Sequence, residues 1–133
     1  MARSWILPLA SSVFLMVAST ALAQGLEDRT WVAERIRGSA VSAEIKSTLA
    51  LAAGKVTGSS GCNRLMASAT ITGNSIALGD IATTRMACPA PVMAQERAFI
   101  EALASARSFR IEAGFLSLRD AAGAEVARLR EQG

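Results

Sequence analysis

A chain of 133 residues, 51% of them hydrophobic and with a formal net charge of +3, has the length of one domain and no charge excess that would mark a nucleic-acid surface. With no histidine and no tyrosine, it lacks the side chains for a Ser/His/Asp or Cys/His catalytic set and for imidazole metal sites, and its two cysteines cannot make a four-cysteine zinc site. Neither a metal nor a cofactor is implied.

Residues 1–23 read as a signal peptide: Arg3 supplies the positive start, Trp5 to Val17 is apolar apart from Pro8, Ser11 and Ser12, and Ala21-Leu22-Ala23 is a small-x-small cleavage site. The competing reading, a membrane anchor, needs an apolar stretch of about 20 residues, longer than this one. Cleavage after Ala23 leaves residues 24–133, whose formal charge falls from +3 to +2 with the loss of Arg3. A periplasmic or secreted monomer is therefore expected, with no membrane span after cleavage. In such a compartment Cys62 and Cys88 default to a disulfide.

After a polar start, Thr30 to Ile36 has the β-branched and aromatic content of a strand ended by Gly38, with Trp31 as its core anchor. Ser39 to Lys46 reads as a connection. Ser47 to Leu51, a turn at Ala52-Ala53-Gly54 and Lys55 to Thr57 form a hairpin that runs into Gly58-Ser59-Ser60-Gly61, where the glycines point to a bulge or a close backbone approach. A second hairpin joins Met66–Thr72 to Ser75–Leu78 through Gly73-Asn74; its alternation sets Ala67, Ala69 and Ile71 on the face opposite Ser68, Thr70 and Thr72. Pro89 and Pro91 open a helix running to about Ser105, with Val92, Phe99 and Leu103 in its apolar stripe, Glu96 near that stripe, and Gln95, Arg97 and Glu101 off it. Ser108–Glu112, Phe115–Arg119 and Glu125–Leu129 follow as a three-stranded meander. The pattern predicts a mainly β (α+β) single small domain: an antiparallel curved sheet or barrel with one helix packed against it and one disulfide.

Gly58-Ser59-Ser60-Gly61-Cys62-Asn63-Arg64, Thr83-Thr84-Arg85-Met86-Ala87-Cys88 and the helix opening Pro89-Ala90-Pro91-Val92-Met93-Ala94-Gln95-Glu96 together resemble the META domain family of HslJ-like heat-shock and envelope proteins. The resemblance covers about Thr30 to Leu129. It implies an antiparallel β fold with one helix, an envelope location or a link to stress response, and no assigned reaction. Trp31 matches the tryptophan opening the first strand of the family, and Glu96 falls where META domains also carry glutamate. This chain departs from the family pattern at Met66-Ala67-Ser68, where a glycine-containing turn is more common, and it has no lipid-anchor cysteine after the cleavage site.

The candidate binding or loop-ordering residues are Asn63, Arg64, Thr84, Arg85 and Glu96. Asn63 either locks its loop through its amide or contacts a ligand. A Cys62–Cys88 bond would bring Arg64 and Arg85 into one neighbourhood, where they either take an anion or acidic peptide, or one of them pairs with Asp80 or Glu96. The expected function is that of a non-enzymatic envelope stress-response or interaction module whose partner is an unidentified protein or a small anionic ligand. The alternatives are a small barrel inhibitor or ligand carrier and, third, a thiol redox protein using Cys62 and Cys88.

Overall fold

The structure, a computed structural model, describes residues 8, 10–13 and 25–132. The predicted cleavage after Ala23 and most of the predicted signal peptide lie outside the described residues. Ten strands and one helix occur among those described: β1 (Thr30–Ile36), β2 (Ser39–Ala40), β3 (Thr48–Ala52), β4 (Lys55–Ser59), β5 (Arg64–Thr72), β6 (Ser75–Leu78), β7 (Ala82–Thr83), α1 (Ala90–Ser105), β8 (Ser108–Glu112), β9 (Phe115–Arg119) and β10 (Glu125–Glu131). The two hairpins, the helix and the C-terminal meander stand where the sequence pattern places them. Of the segment between Ile81 and Cys88, only Ala82 and Thr83 form a strand, against Met66 and Leu65 of β5.

Eight of the strands close an antiparallel barrel in the order β1-β3-β4-β5-β6-β8-β9-β10, with β10 returning to β1. The two closing seams differ in extent. β1 and β10 pair from Trp31↔Glu131 to Ile36↔Ala127, with a bulge between Ala33 and Arg35. β6 and β8 meet only at Ser75↔Ser108, where Phe109 N donates to Asn74 O at 2.9 Å and Ile76 N to Arg107 O at 3.0 Å. Helix α1 packs against β10, β1 and β6, and so covers the side where the second seam is short.

Strand alternation supplies the core. Leu116 and Leu118 of β9 point inward while Phe115, Ser117 and Arg119 face out, and the bulge between Glu125 and Ala127 lets Val126 and Ala127 both become buried on β10. Trp31 is fully buried and donates its indole N–H to Leu26 O at 3.3 Å, so its polar edge is satisfied inside the core. Phe99, Ala102 and Leu103 of α1 complete the same cluster. One expectation is corrected on the helix. Gln95 does not sit apart from the packed face: its amide donates to Ile45 O at 2.9 Å and Ser47 Oγ at 3.0 Å and accepts from Ser42 N at 3.2 Å, tying α1 to the β2–β3 connection.

Gly58 is the tightest approach in the barrel wall. A Cβ built there would lie 2.0 Å from Thr48 O, a backbone atom that cannot move without separating β3 from β4. Gly58→Ala is expected to lower the unfolding free energy by at least about 2 kcal/mol, read as a reduced urea midpoint. Gly114→Ala, which meets nothing within 4 Å but sits at a φ of +81°, is expected to cost less, about 1 kcal/mol.

Candidate functional site

The corner between β4 and β5 is built on Asn63. This residue is 2% exposed, and its side chain spans the gap to the segment leading into α1. Asn63 Oδ1 accepts from Met86 N at 2.7 Å and from Thr84 Oγ1 at 3.0 Å, while Nδ2 donates to Met86 O at 3.3 Å. The amide thus replaces the strand ladder that ends at Thr83. Thr84 completes the exchange, its hydroxyl accepting from Arg64 N at 3.0 Å and its own N–H donating to Arg64 O at 3.0 Å. Beside this clamp Cys62 and Cys88 form a disulfide with a Cα separation of 6.3 Å. The same two segments are therefore joined covalently and by a buried amide.

Beneath the corner lies a second polar group. Ser60 is fully buried; its N–H donates to Asn63 O at 2.9 Å, and its hydroxyl lies between Asn63 O, at 3.0 Å, and the Glu96 carboxylate. Ser47, also fully buried, donates to Ser60 O at 3.0 Å and accepts a hydrogen bond from Gln95 Nε2 at 3.0 Å. Glu96 of α1 is 7% exposed and is spent on this network. The expectation that it, or Asp80, pairs with Arg64 or Arg85 is not met: among the described residues neither arginine forms an ion pair. The physical reason is position. Glu96 points under the loop to Ser60, whereas Arg64 and Arg85 are exposed above it.

The two arginines do not converge on one cavity. Arg64 lines a shallow hollow of about 260 Å³ with Leu65, Met66 and Ala82. Arg85 lines another of about 290 Å³ with Asn63, Met86, Met93 and Glu96. Thr83 and Thr84 border both. Sequence reasoning singled out Asn63, Thr84 and Glu96 but missed Ser47, Ser60 and Gln95. Serine and glutamine occur throughout surface loops, and nothing in their spacing marks these three as buried partners.

A META domain model matches residues 24–133. The chain belongs to the META domain family. The META barrel is also similar to an NMR structure of a protein from Burkholderia xenovorans, with a TM-score of 0.67 and 26% identity over 82% of this chain and 85% of that one. A second NMR structure aligns with a TM-score of 0.64 and 19% identity over 80% of this chain and 92% of that one. The crystal structure of a DUF4847 family protein from Bacteroides vulgatus aligns with a TM-score of 0.50 and 18% identity over 65% and 61% of the two chains. The last two likenesses concern the fold alone. Among curated proteins no sequence matches this chain.

Asn63→Ala removes three hydrogen bonds and leaves Met86 N without its acceptor, so it is expected to destabilise the oxidised protein by about 2–3 kcal/mol in urea unfolding. Asn63→Asp keeps both acceptor contacts but buries a carboxylate with one oxygen facing Met86 O, so it is also expected to destabilise at neutral pH, with part of the loss recovered once the carboxyl is protonated. A loss in Asn63→Ala well below about 1 kcal/mol would mean that the amide does not hold the corner.

Proposed function

We propose that this META domain protein is exported and acts by binding rather than by catalysis, as a small interaction module of the cell envelope in stress tolerance. The observation that carries the reading is the Cys62–Cys88 bond, a cross-link over 26 positions of the kind that persists where the surroundings are oxidising. No helix among the described residues is long and apolar enough to cross a membrane. Binding is favoured over catalysis because the polar groups of the corner are consumed by one another: the Ser60 hydroxyl is fully buried, and the Asn63 amide is engaged at both ends.

The carrier alternative needs interior room, and the barrel interior is filled by Trp31, Leu116, Leu118, Leu129 and Phe99. An inhibitor reading would want Gly58 to Arg64 as a projecting loop. Instead, Ser60 and Asn63 are buried, and a Cβ at Gly61 would meet Ile45 at 2.8 Å, so the loop is tucked against its neighbours. Recognition on the outer surface is the reading that remains best supported.

The test is the intact mass of the protein recovered from cells whose free thiols were blocked before lysis, without reduction. The expected mass begins at Gln24 and carries no blocking group. A species retaining residues 1–23 would refute export with cleavage, and a fraction carrying two blocking groups would replace the permanent staple with a cycling thiol pair.

A further inference from the structure

The outer face of β8, β9 and β10 carries an arginine cluster remote in sequence from the disulfide corner. Arg110 on β8 and Arg128 on β10 both stand opposite Ser117 of β9, so the three side chains form a row across adjacent strands on one face. Strand spacing puts the Cα atoms of Arg110 and Arg128 about 10 Å apart. Arg119, two residues along β9 from Ser117, shares that face, and Arg35 of β1 lies opposite Arg128 and extends the row. Arg110, Arg119, Arg128, Glu112 and Glu125 help line a cavity of about 400 Å³.

Three features distinguish this cluster from a solvated basic surface. None of Arg35, Arg110, Arg119 or Arg128 forms an ion pair with a described residue, although arginines elsewhere do: Arg29 with Glu131 at 3.1 Å and Arg130 with Glu34 at 3.4 Å. Glu125, the register partner of Arg119, instead accepts the Ser117 hydroxyl at 2.6 Å. Arg119 Nε is consequently buried with no hydrogen-bond partner, and among the described residues it is the buried side-chain polar atom left in that state. Such a group is costly unless something supplies an acceptor. Finally, the Arg128 guanidinium carbon lies 4.4 Å from the centre of the Phe115 ring, a cation–π contact that restrains this side chain on the face.

We propose that this face binds the dianionic phosphate of a phosphomonoester, gripped by Arg110, Arg119 and Arg128 with Arg35 at its margin. Four guanidinium groups against the two carboxylates of Glu112 and Glu125 leave two positive charges. A phosphomonoester carries close to two negative charges near neutral pH and offers three acceptor oxygens, whereas a carboxylate brings one charge and two oxygens. Planar guanidinium groups suit such an oxyanion. The phosphate could belong to a soluble metabolite or to a lipid headgroup, since the chemistry that binds it is the same. The site depends neither on export nor on the corner at Asn63.

The test follows the arginine side-chain N–H resonances of the isotope-labelled protein during titration with methyl phosphate, with acetate as the monoanionic comparison. Phosphatidylcholine vesicles with and without phosphatidic acid form a second arm, read by co-sedimentation. Saturable shifts at Arg119 and Arg128 with methyl phosphate, and weaker ones with acetate, are expected. Arg110→Gln, at an exposed position, and Arg119→Gln should each raise the dissociation constant about tenfold, while Arg64→Gln at the corner should leave it unchanged. Binding of methyl phosphate alone assigns the site to a soluble phosphomonoester; additional retention by phosphatidic acid vesicles assigns it to a headgroup. If neither probe binds, if acetate binds as tightly, or if Arg110→Gln has no effect in a folded protein, the proposal is overturned.

Discussion

Pairing of β1 with β10 is the constraint on which the rest depends. It joins the two ends of the domain, and without it the sheet would present two open edges, each a row of unsatisfied backbone groups. Closing the barrel there forces the other seam, between β6 and β8, to occur far along the chain, and that seam is nearly bare, with one register pair. The bulges on β1 and β10 belong to the same solution: they re-phase Ile36 and Ala127 toward the interior after the strands have bent.

The corner holds the crossing from β7 into α1. β7 ends after two residues, and the chain must then cross to α1 before returning as β8. Three devices hold that crossing: the Cys62–Cys88 bond, the Asn63 amide on Thr84 and Met86, and the Ser60–Glu96 contact that fastens α1 beneath the loop. Gln95 adds a fourth attachment on the side of β3. Asn63, Thr84, Ser60 and Glu96 are therefore engaged in fastening the helix and its approach to the barrel, whereas Arg64 and Arg85 are exposed. The arginines of β8 to β10 and β1 show the contrast. They contribute nothing evident to closure and form no ion pair with a described residue, while the glutamate best placed to neutralise Arg119 is held by Ser117.

Much of this architecture was legible in the residues. The hairpins at Ala53-Gly54 and Gly73-Asn74, the helix after Pro89 and the closing meander follow from short-range periodicity and turn chemistry, which act over a few residues and need no knowledge of the partner strand. The pairing of the two cysteines, and Asn63 as a residue able to order its loop, were also readable, because the chain has just two cysteines and an asparagine amide offers neighbouring backbone both a donor and an acceptor. What only the tertiary structure decided is which polar side chains are buried together. Ser47, Ser60 and the helix residues Gln95 and Glu96 meet from three separate segments, and Arg35, Arg110, Arg119 and Arg128 come to one sheet face from four strands. Those meetings depend on barrel closure and strand register, which are set by long-range pairing energies summed over the whole sheet, and no local pattern of residues encodes them.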